Sequence, residues 1–244
     1  EIGQIAGRAG RYLNDGNFGI TGECDKINSE EVESIEEHKF EEVITLFWRN
    51  SELDFNNSSN LIKSLDQKPK HDWLRRVGEC EDEKVLKYFL KDPIKYNISN
   101  EKNVLNLLWE CCQIPDFVKK TYGNHLEVVS KVFDFLNGKN KKISNSFMKK
   151  QLSILDKLEG NVDSLSNRIA NVRTWSYVSN KTNWVENQDF WVERTKLLED
   201  KLSDRLHEEL TKSFIDKRAS ILARGLKQDI NFNTEIIENE KVII

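Results

Sequence analysis

Thr195-Lys196-Leu197-Leu198-Glu199-Asp200-Lys201-Leu202-Ser203-Asp204-Arg205-Leu206-His207-Glu208-Glu209-Leu210-Thr211-Lys212-Ser213-Phe214 sets an apolar side chain at every fourth position: Leu198, Leu202, Leu206, Leu210 and Phe214. Residues four apart sit on successive turns of one helical face, whereas a strand would alternate with a period of two. The spacing predicts a long amphipathic helix over 195–227, carried on by Ile221 and Leu222, and a chain that is mainly α. The polar side turns basic toward the end, with six Lys/Arg against three Asp/Glu over 205–227. That sign suits a helix C-terminus and leaves a modest capacity for phosphate.

The same period recurs upstream. From Val162, the apolar positions Leu165, Ile169 and Val172 lead into Arg173-Thr174-Trp175-Ser176-Tyr177-Val178, followed by Trp184 and Trp191. Tryptophans at this density could stack on unpaired bases or form the core of a small helical domain. Their near-helical spacing among other apolar residues favours the core. Before them, Ser144 is placed to cap a helix with Phe147, Leu152, Leu155 and Leu158 inward and Gly160 at its end. The loop 138–142 carries three lysines and no acid, and with Lys149 and Lys150 forms the most basic local stretch, a candidate for backbone phosphates. Leu126, Val129, Val132, Phe133 and Leu136 predict a further helix closed at Asn137-Gly138. Val104, Leu107, Leu108 and Cys111 predict one ended near Pro115, and Val85, Leu86, Phe89 and Leu90 one stopped by Pro93. Phe40, Val43, Ile44, Phe47 and Trp48 read as another buried helical stripe. Between 30 and 42, seven glutamates face one lysine, the pattern of a solvated acidic face or linker, and a domain boundary is expected there.

Composition narrows the function classes. The 244 residues carry a net charge of −4, so no general basic field advertises nucleic-acid binding and any such site must be a local patch. No apolar run approaches the ~18 residues of a membrane span and nothing resembles a signal peptide, so the chain reads as soluble with no membrane partner. The opening on Glu1 and the ending on Val242-Ile243-Ile244 read as cut ends of a longer chain. Cys24, Cys80, Cys111 and Cys112 form no C-x-x-C pair, which points to free thiols in a reducing compartment rather than a disulfide framework or zinc site. His38, His71, His125 and His207 likewise lack ligand spacing, so no metal site is expected, and they read as ordinary surface or core residues.

One short stretch carries chemistry. Gln4-Ile5-Ala6-Gly7-Arg8-Ala9-Gly10-Arg11 puts Gln4, Arg8 and Arg11 at i, i+4 and i+7, one face of a helix. Guanidinium forks bind phosphate oxygens bidentately, and an arginine delivered across a cleft can stabilise the charge developed in phosphoryl transfer. Gly7 and Gly10 each cost a helix roughly 1 kcal/mol against Ala, which points to close backbone approach. Asn14-Asp15-Gly16-Asn17 is a turn signal, and Phe18-Gly19-Ile20-Thr21 alternates as a short strand would.

This Q-x-x-G-R-x-G-R run resembles the last conserved motif of superfamily-two helicases. Three further blocks occur in matching order: Trp48-Arg49-Asn50-Ser51-Glu52-Leu53-Asp54-Phe55, Leu108-Trp109-Glu110-Cys111-Cys112-Gln113-Ile114-Pro115-Asp116-Phe117, and Glu199-Asp200-Lys201-Leu202-Ser203-Asp204. Together the four are similar to the mitochondrial degradosome RNA helicases, Ski-like DExH enzymes, and most to their alphaproteobacterial branch. The resemblance implies helical accessory domains following the C-terminal edge, helix-turn-strand, of a RecA-like α/β domain. On that division, residues 1–28 are the remnant of the second RecA-like domain, 29–160 a helical post-motor domain, 161–228 a C-terminal helical domain, and 229–244 the start of a further segment.

The implied activity is ATP-dependent 3′-to-5′ unwinding of RNA, with single-stranded DNA as a further substrate, beside an exoribonuclease in RNA turnover. Carried over residue by residue, Gln4, Gly7, Arg8 and Arg11 meet ATP, and Arg8 and Arg11 act on its phosphates, Arg11 as the principal finger. The sequence has no P-loop lysine and no DExH acids, so Mg²⁺ belongs to the intact enzyme and this chain alone is expected to be inactive. The branch implies a bacterial cytoplasmic protein, with the mitochondrial matrix as the alternative. A non-enzymatic helical interaction module and a DNA-repair helicase are the competing readings.

Overall fold

A computed structural model describes residues 2–10, 15–20, 22, 24–40, 42–227, 235–237 and 241–243. In chain order the elements are α1 (Ile2–Ala6), α2 (Ser29–Glu36), β1 (Leu46–Trp48), α3 (Ser58–Leu65), β2 (Leu74–Arg76), α4 (Glu81–Leu90), α5 (Lys102–Cys112), α6 (Tyr122–Asn137), α7 (Asn145–Leu155), α8 (Val162–Asn180), α9 (Gln188–Lys227), β3 (Glu235–Ile237) and β4 (Lys241–Ile243). The protein is mainly helical, as the periodicity predicts. It divides into two units, one of residues 1–50 and 68–77, the other of residues 51–67 and 78–244.

In the first unit, β1 and β2 form a parallel pair with Leu46 opposite Leu74 and Trp48 opposite Arg76. This corrects the helix expected across Phe40 to Trp48. Val43, Ile44 and Thr45 are β-branched and Phe47 and Trp48 aromatic, side chains that suit a pleated surface better than a helix. A nearly unbroken apolar run satisfies a period of 3.6 and of 2 alike, so spacing could not separate the two. Nor is the stripe buried: Val43 is 78% and Ile44 85% exposed. The strand expected at Phe18 to Thr21 is also absent, since 18–20 have no regular structure and Thr21 lies outside the described residues. The acidic stretch holds a helix, α2, whose start is fixed by a capping box. Asn28 Oδ1 accepts from the Glu31 amide at 2.7 Å while the Glu31 carboxylate accepts from the Asn28 amide at 3.4 Å. No α2 residue is buried.

The second unit is built by helices that bury the expected stripes. One continuous core joins α3 to α9, with Leu61, Leu108, Phe133, Leu165, Val172 and Leu202 among its fully buried members. Side-chain oxygens start the helices: Asn57 for α3, Thr121 for α6, Ser144 for α7 and Asn161 for α8 each accept from a backbone amide three residues on. Helix α7 stops at Leu155, earlier than the expected Gly160, and Leu158 is 42% exposed rather than inward. The turn after it is held by two arginines. Arg168 donates to the Lys157 carbonyl at 2.8 Å and Arg205 to that of Leu158 at 3.3 Å.

Helices α8 and α9 lie antiparallel, joined by the Arg173–Glu199 ion pair at 2.7 Å. The i+4 stripe of α9 is buried over its first part only. Four residues turn a helix by about 40° more than a full circle, so the stripe spirals by about 160° between Leu198 and Phe214. Leu198 and Leu202 face α8 and are at most 1% exposed; rotation alone would turn another face inward further along, but every residue from Leu210 to Ser220 is exposed, Leu210 by 48% and Phe214 by 61%, so this part of α9 has no buried face.

Buried hydroxyls on these two helices differ sharply. Thr195, fully buried on α9, donates to the Trp191 carbonyl at 2.9 Å. Ser179, fully buried on α8, has no hydrogen-bond partner for its hydroxyl among the described residues. An unsatisfied buried hydroxyl costs about 1–3 kcal/mol, so Ser179→Ala is expected to raise the unfolding midpoint in urea. Leu202→Ala should lower stability by about 2–5 kcal/mol, and Phe214→Ala by less than about 0.5 kcal/mol; equal losses at 202 and 214 would refute the unpacked state of this far part of α9.

Candidate nucleic-acid interface

Of the four residues expected to meet a nucleotide, Gln4 lies in α1 and Gly7 and Arg8 just beyond it, while Arg11 lies outside the described residues. Gln4 and Arg8 do not lie on one continuous helix. Helix α1 ends at Ala6, and the amides of Arg8 and Ala9 turn back to the carbonyls of Ile5 and Ala6 at 3.2 and 3.0 Å, a tighter three-residue winding. The glycines account for the early stop, because each weakens a helix already too short to nucleate well. Packing also demands small residues here. A Cβ at Gly3 would fall 2.7 Å from the Phe40 ring, and one at Gly16 would collide with the backbone of Ala9 and Gly10. The Gln4 and Arg8 side chains are exposed. An exposed amide and an exposed guanidinium at a helix end can contact a nucleotide edge-on.

A second constellation lies in the other unit, where α7 faces the first turns of α9. Asn145, Lys149, Leu152 and Asp156 repeat at three- and four-residue steps along α7, and Asn187, Phe190, Trp191 and Arg194 do so on the facing segment. Between them runs a groove of about 530 Å³. Its geometry is pinned by polar contacts. Trp191 Nε1 donates to Asn145 Oδ1 at 2.8 Å, the Asn145 amide donates to the Glu186 carboxylate at 3.0 Å, and Arg194 meets Asp156 at 2.7 Å. Behind this, Ile143 bridges to Val185, its amide donating to the Trp184 carbonyl at 2.8 Å. Two loops are therefore locked together at the mouth of the groove.

The lining combines a flat apolar surface with cations. Leu152 and Trp191 form a buried floor, and Phe190, 57% exposed, stands edge-on to Trp191 with ring centroids 4.8 Å apart. Lys149 is on the rim, and Lys150 and the loop lysines Lys139, Lys141 and Lys142 are exposed. An exposed ring beside ammonium groups is the arrangement on which a base stacks while its phosphate is neutralised. The sequence singled out the lysines but not Phe190. Its signal was available: one residue before Trp191, it sits about 100° off the buried face.

Other expectations settle differently. Trp175, Trp184 and Trp191 are each 5% exposed and serve as core, as their spacing favours, and Trp109 is buried as well. Arg205, in the basic stretch of α9, is engaged by Glu208 and Glu209 at 2.7 and 2.6 Å, which leaves it poorly disposed toward phosphate. Cys111 and Cys112 are buried, and burial pushes both thiols well above their ordinary range, so they act as small apolar residues and not as nucleophiles.

Comparison of the chain with protein-family models, curated proteins and solved structures gives no match. The groove's rigidity rests on the Trp191–Asn145 bond, so Trp191→Phe is expected to cost about 1 kcal/mol in chemical denaturation. Phe190→Ala, removing an exposed ring, should leave the midpoint within about 0.5 kcal/mol of the parent.

Proposed function

We propose that this chain is the C-terminal part of an ATP-dependent 3′-to-5′ RNA helicase of the DExH group, acting in RNA turnover. What carries the reading is the order of the four sequence blocks, opened by Gln4-Ile5-Ala6-Gly7-Arg8-Ala9-Gly10-Arg11. On this reading the first unit holds the edge of a RecA-like domain. There Gln4 and Arg8 contact ATP, Arg11 supplies the principal positive charge at its phosphates, and Gly7 permits close backbone approach. ATP and its Mg²⁺ provide the phosphoryl-transfer chemistry, and on this reading the metal's ligands lie in the P-loop half of the enzyme.

The helical unit then handles the strand. The groove between α7 and α9 supports this part of the reading, since it supplies a stacking ring and one rim lysine, Lys149, with Lys150 exposed next to it in sequence, on a chain of net charge −4. Phe190 takes a base, and Lys149 and Lys150 take flanking phosphates. RNA is the proposed substrate, single-stranded DNA a second one, and an exoribonuclease the partner that consumes the unwound product. The setting is the bacterial cytoplasm; among the described residues no helix is long and apolar enough to cross a membrane.

Two measurements test the two halves separately. Binding of a fluorescent single-stranded RNA should weaken about tenfold or more at moderate salt in Lys149→Glu/Lys150→Glu, with a shallower salt dependence, and by roughly 1–3 kcal/mol in Phe190→Ala. RNA binding undiminished in both variants would remove the strand-guiding role. In a protein that also carries the P-loop half, Arg11→Ala should abolish ATP hydrolysis while sparing RNA affinity, and unchanged turnover would refute the finger.

A further inference from the structure

A smaller cavity, about 210 Å³, lies in the helical unit between the segment after α5, the first turn of α6 and the middle of α8. It is distinct in its lining from the α7–α9 groove. Asp116, Asn124 and His125 form one side, and Asn171, Thr174 and Trp175 the other. Its walls are firmly built: Thr174 is 6% and Trp175 5% exposed, and the Trp175 ring packs edge-on against Phe147 with centroids 5.7 Å apart.

His125 is the unusual member. It is only 8% exposed, lines the cavity, and has no hydrogen-bond partner among the described residues. Its ring nitrogens are not among the fully buried side-chain atoms left without a partner, so they are open to a ligand in the cavity. Burial holds its pKa below the ordinary value against the opposing pull of the Asp116 and Glu81 carboxylates, so the ring is neutral at pH 7 and presents one N–H donor and one nitrogen acceptor. Among the buried and half-buried lining residues the bias is toward accepting, while Lys120, Thr121 and Asn124, which also line the cavity, are exposed and carry donors. The Thr174 hydroxyl donates to the Ala170 carbonyl at 3.3 Å and the Asn171 amide nitrogen to the Asn167 carbonyl at 2.8 Å. Each therefore has its oxygen lone pairs left to offer. One Asp116 oxygen accepts from the amides of Val118 and Lys119 at 3.1 and 2.9 Å, leaving the other.

The cavity is thus a slot with an aromatic wall, acceptors on its buried side, donors from Lys120, Thr121 and Asn124 on its exposed side, and one imidazole able to donate or accept. Its volume is below the ~300–1,000 Å³ of sites that hold a whole cofactor, which suits one ring system. We propose that it is a binding site for a single nucleobase bearing an exocyclic amino group: Trp175 forms a wall beside the ring, Asn171 and Thr174 accept from the amino group, and His125 bonds a ring nitrogen. The base comes from a free nucleoside or from an unpaired position of a bound strand. The site does not require the helicase reading to hold.

The test uses the 244-residue chain, ¹⁵N-labelled, and follows the imidazole resonances of its four histidines, with His125 assigned through His125→Gln. Adenosine, cytidine and uridine are titrated separately, alongside short oligo(A) and oligo(U) RNA. Cytidine and uridine isolate the amino group, since a carbonyl replaces it in uridine. Adenosine and cytidine are expected to shift the His125 signals and to bind about tenfold or more tightly than uridine, a site built for a donor rejecting a ligand without one. Asn171→Ala, at a half-buried position, should keep the fold and weaken binding about tenfold; Thr174→Val, nearly isosteric, provides a second fold-preserving variant.

Shifts from nucleosides identify free base as a ligand, and shifts from oligo(A) alone identify a strand as its source; both support the site. Three outcomes overturn it: His125 unmoved by every probe up to about 10 mM, well above a millimolar Kd; uridine bound as well as cytidine; or Asn171→Ala and Thr174→Val both binding as the parent does. RNA binding that is lost in Lys149→Glu/Lys150→Glu yet leaves His125 unmoved would sink the base site while leaving the strand-guiding role intact.

Discussion

The helical unit depends on the antiparallel seam between α8 and α9. Leu165, Ile169 and Val172 meet Leu198 and Leu202 across it, and each buried side chain of this size contributes about 1.5–3 kcal/mol of apolar burial. The groove and the small cavity both inherit their rigidity from this seam. Trp175, which walls the small cavity, belongs to α8, and Trp191, the floor of the groove, belongs to α9. Neither ring could hold its position if the helices slid by a turn. The seam is registered by a partly exposed ion pair, Arg173–Glu199, whose energetic share is small beside the apolar contacts. Its value is in choosing a register among similar hydrophobic alternatives.

Much of this was legible in the sequence, for a physical reason that also marks where legibility ended. Helices with one buried face write a period of 3.6 into their apolar residues, so α4, α5, α6, α8 and α9 follow from spacing. The stop of α4 before Pro93 and the Ser144 cap follow from local chemistry. The failures fall where the period is ambiguous or the element too short to have one. Val43 to Trp48 is an apolar run that fits either backbone, and its pairing with Leu74-Arg75-Arg76 is a contact between residues 28 apart for which no local signal exists. Helix α3 has eight residues, and only Leu61 and Leu65 are buried, too few to mark a stripe.

The candidate sites divide along a different line. Lysines advertise themselves by charge, so the basic rim of the groove could be read in advance, whereas an aromatic platform depends on which of two adjacent rings turns outward. Phe190 and Trp191 are equally apolar on paper, and only the packing of α9 sorts them. His125 was harder still. Its significance is the absence of a partner in a buried place, and absence of a partner has no signature in a sequence. The Gln4 to Arg8 segment is the reverse case, since its residues are conspicuous in order and composition while its short helix offers little shape.

The adjacent thiols of Cys111 and Cys112 have a consequence for how the core can be watched. They sit at 0% and 2% exposure near the end of α5, whereas Cys24 is exposed and Cys80 half-buried. A thiol reagent in the medium therefore meets two classes of sulfur on one chain. The outer pair reacts at the pace set by its own chemistry; the inner pair reacts only as often as α5 lifts from its neighbours. The chain carries, without any added probe, an internal clock for the breathing of its own interior.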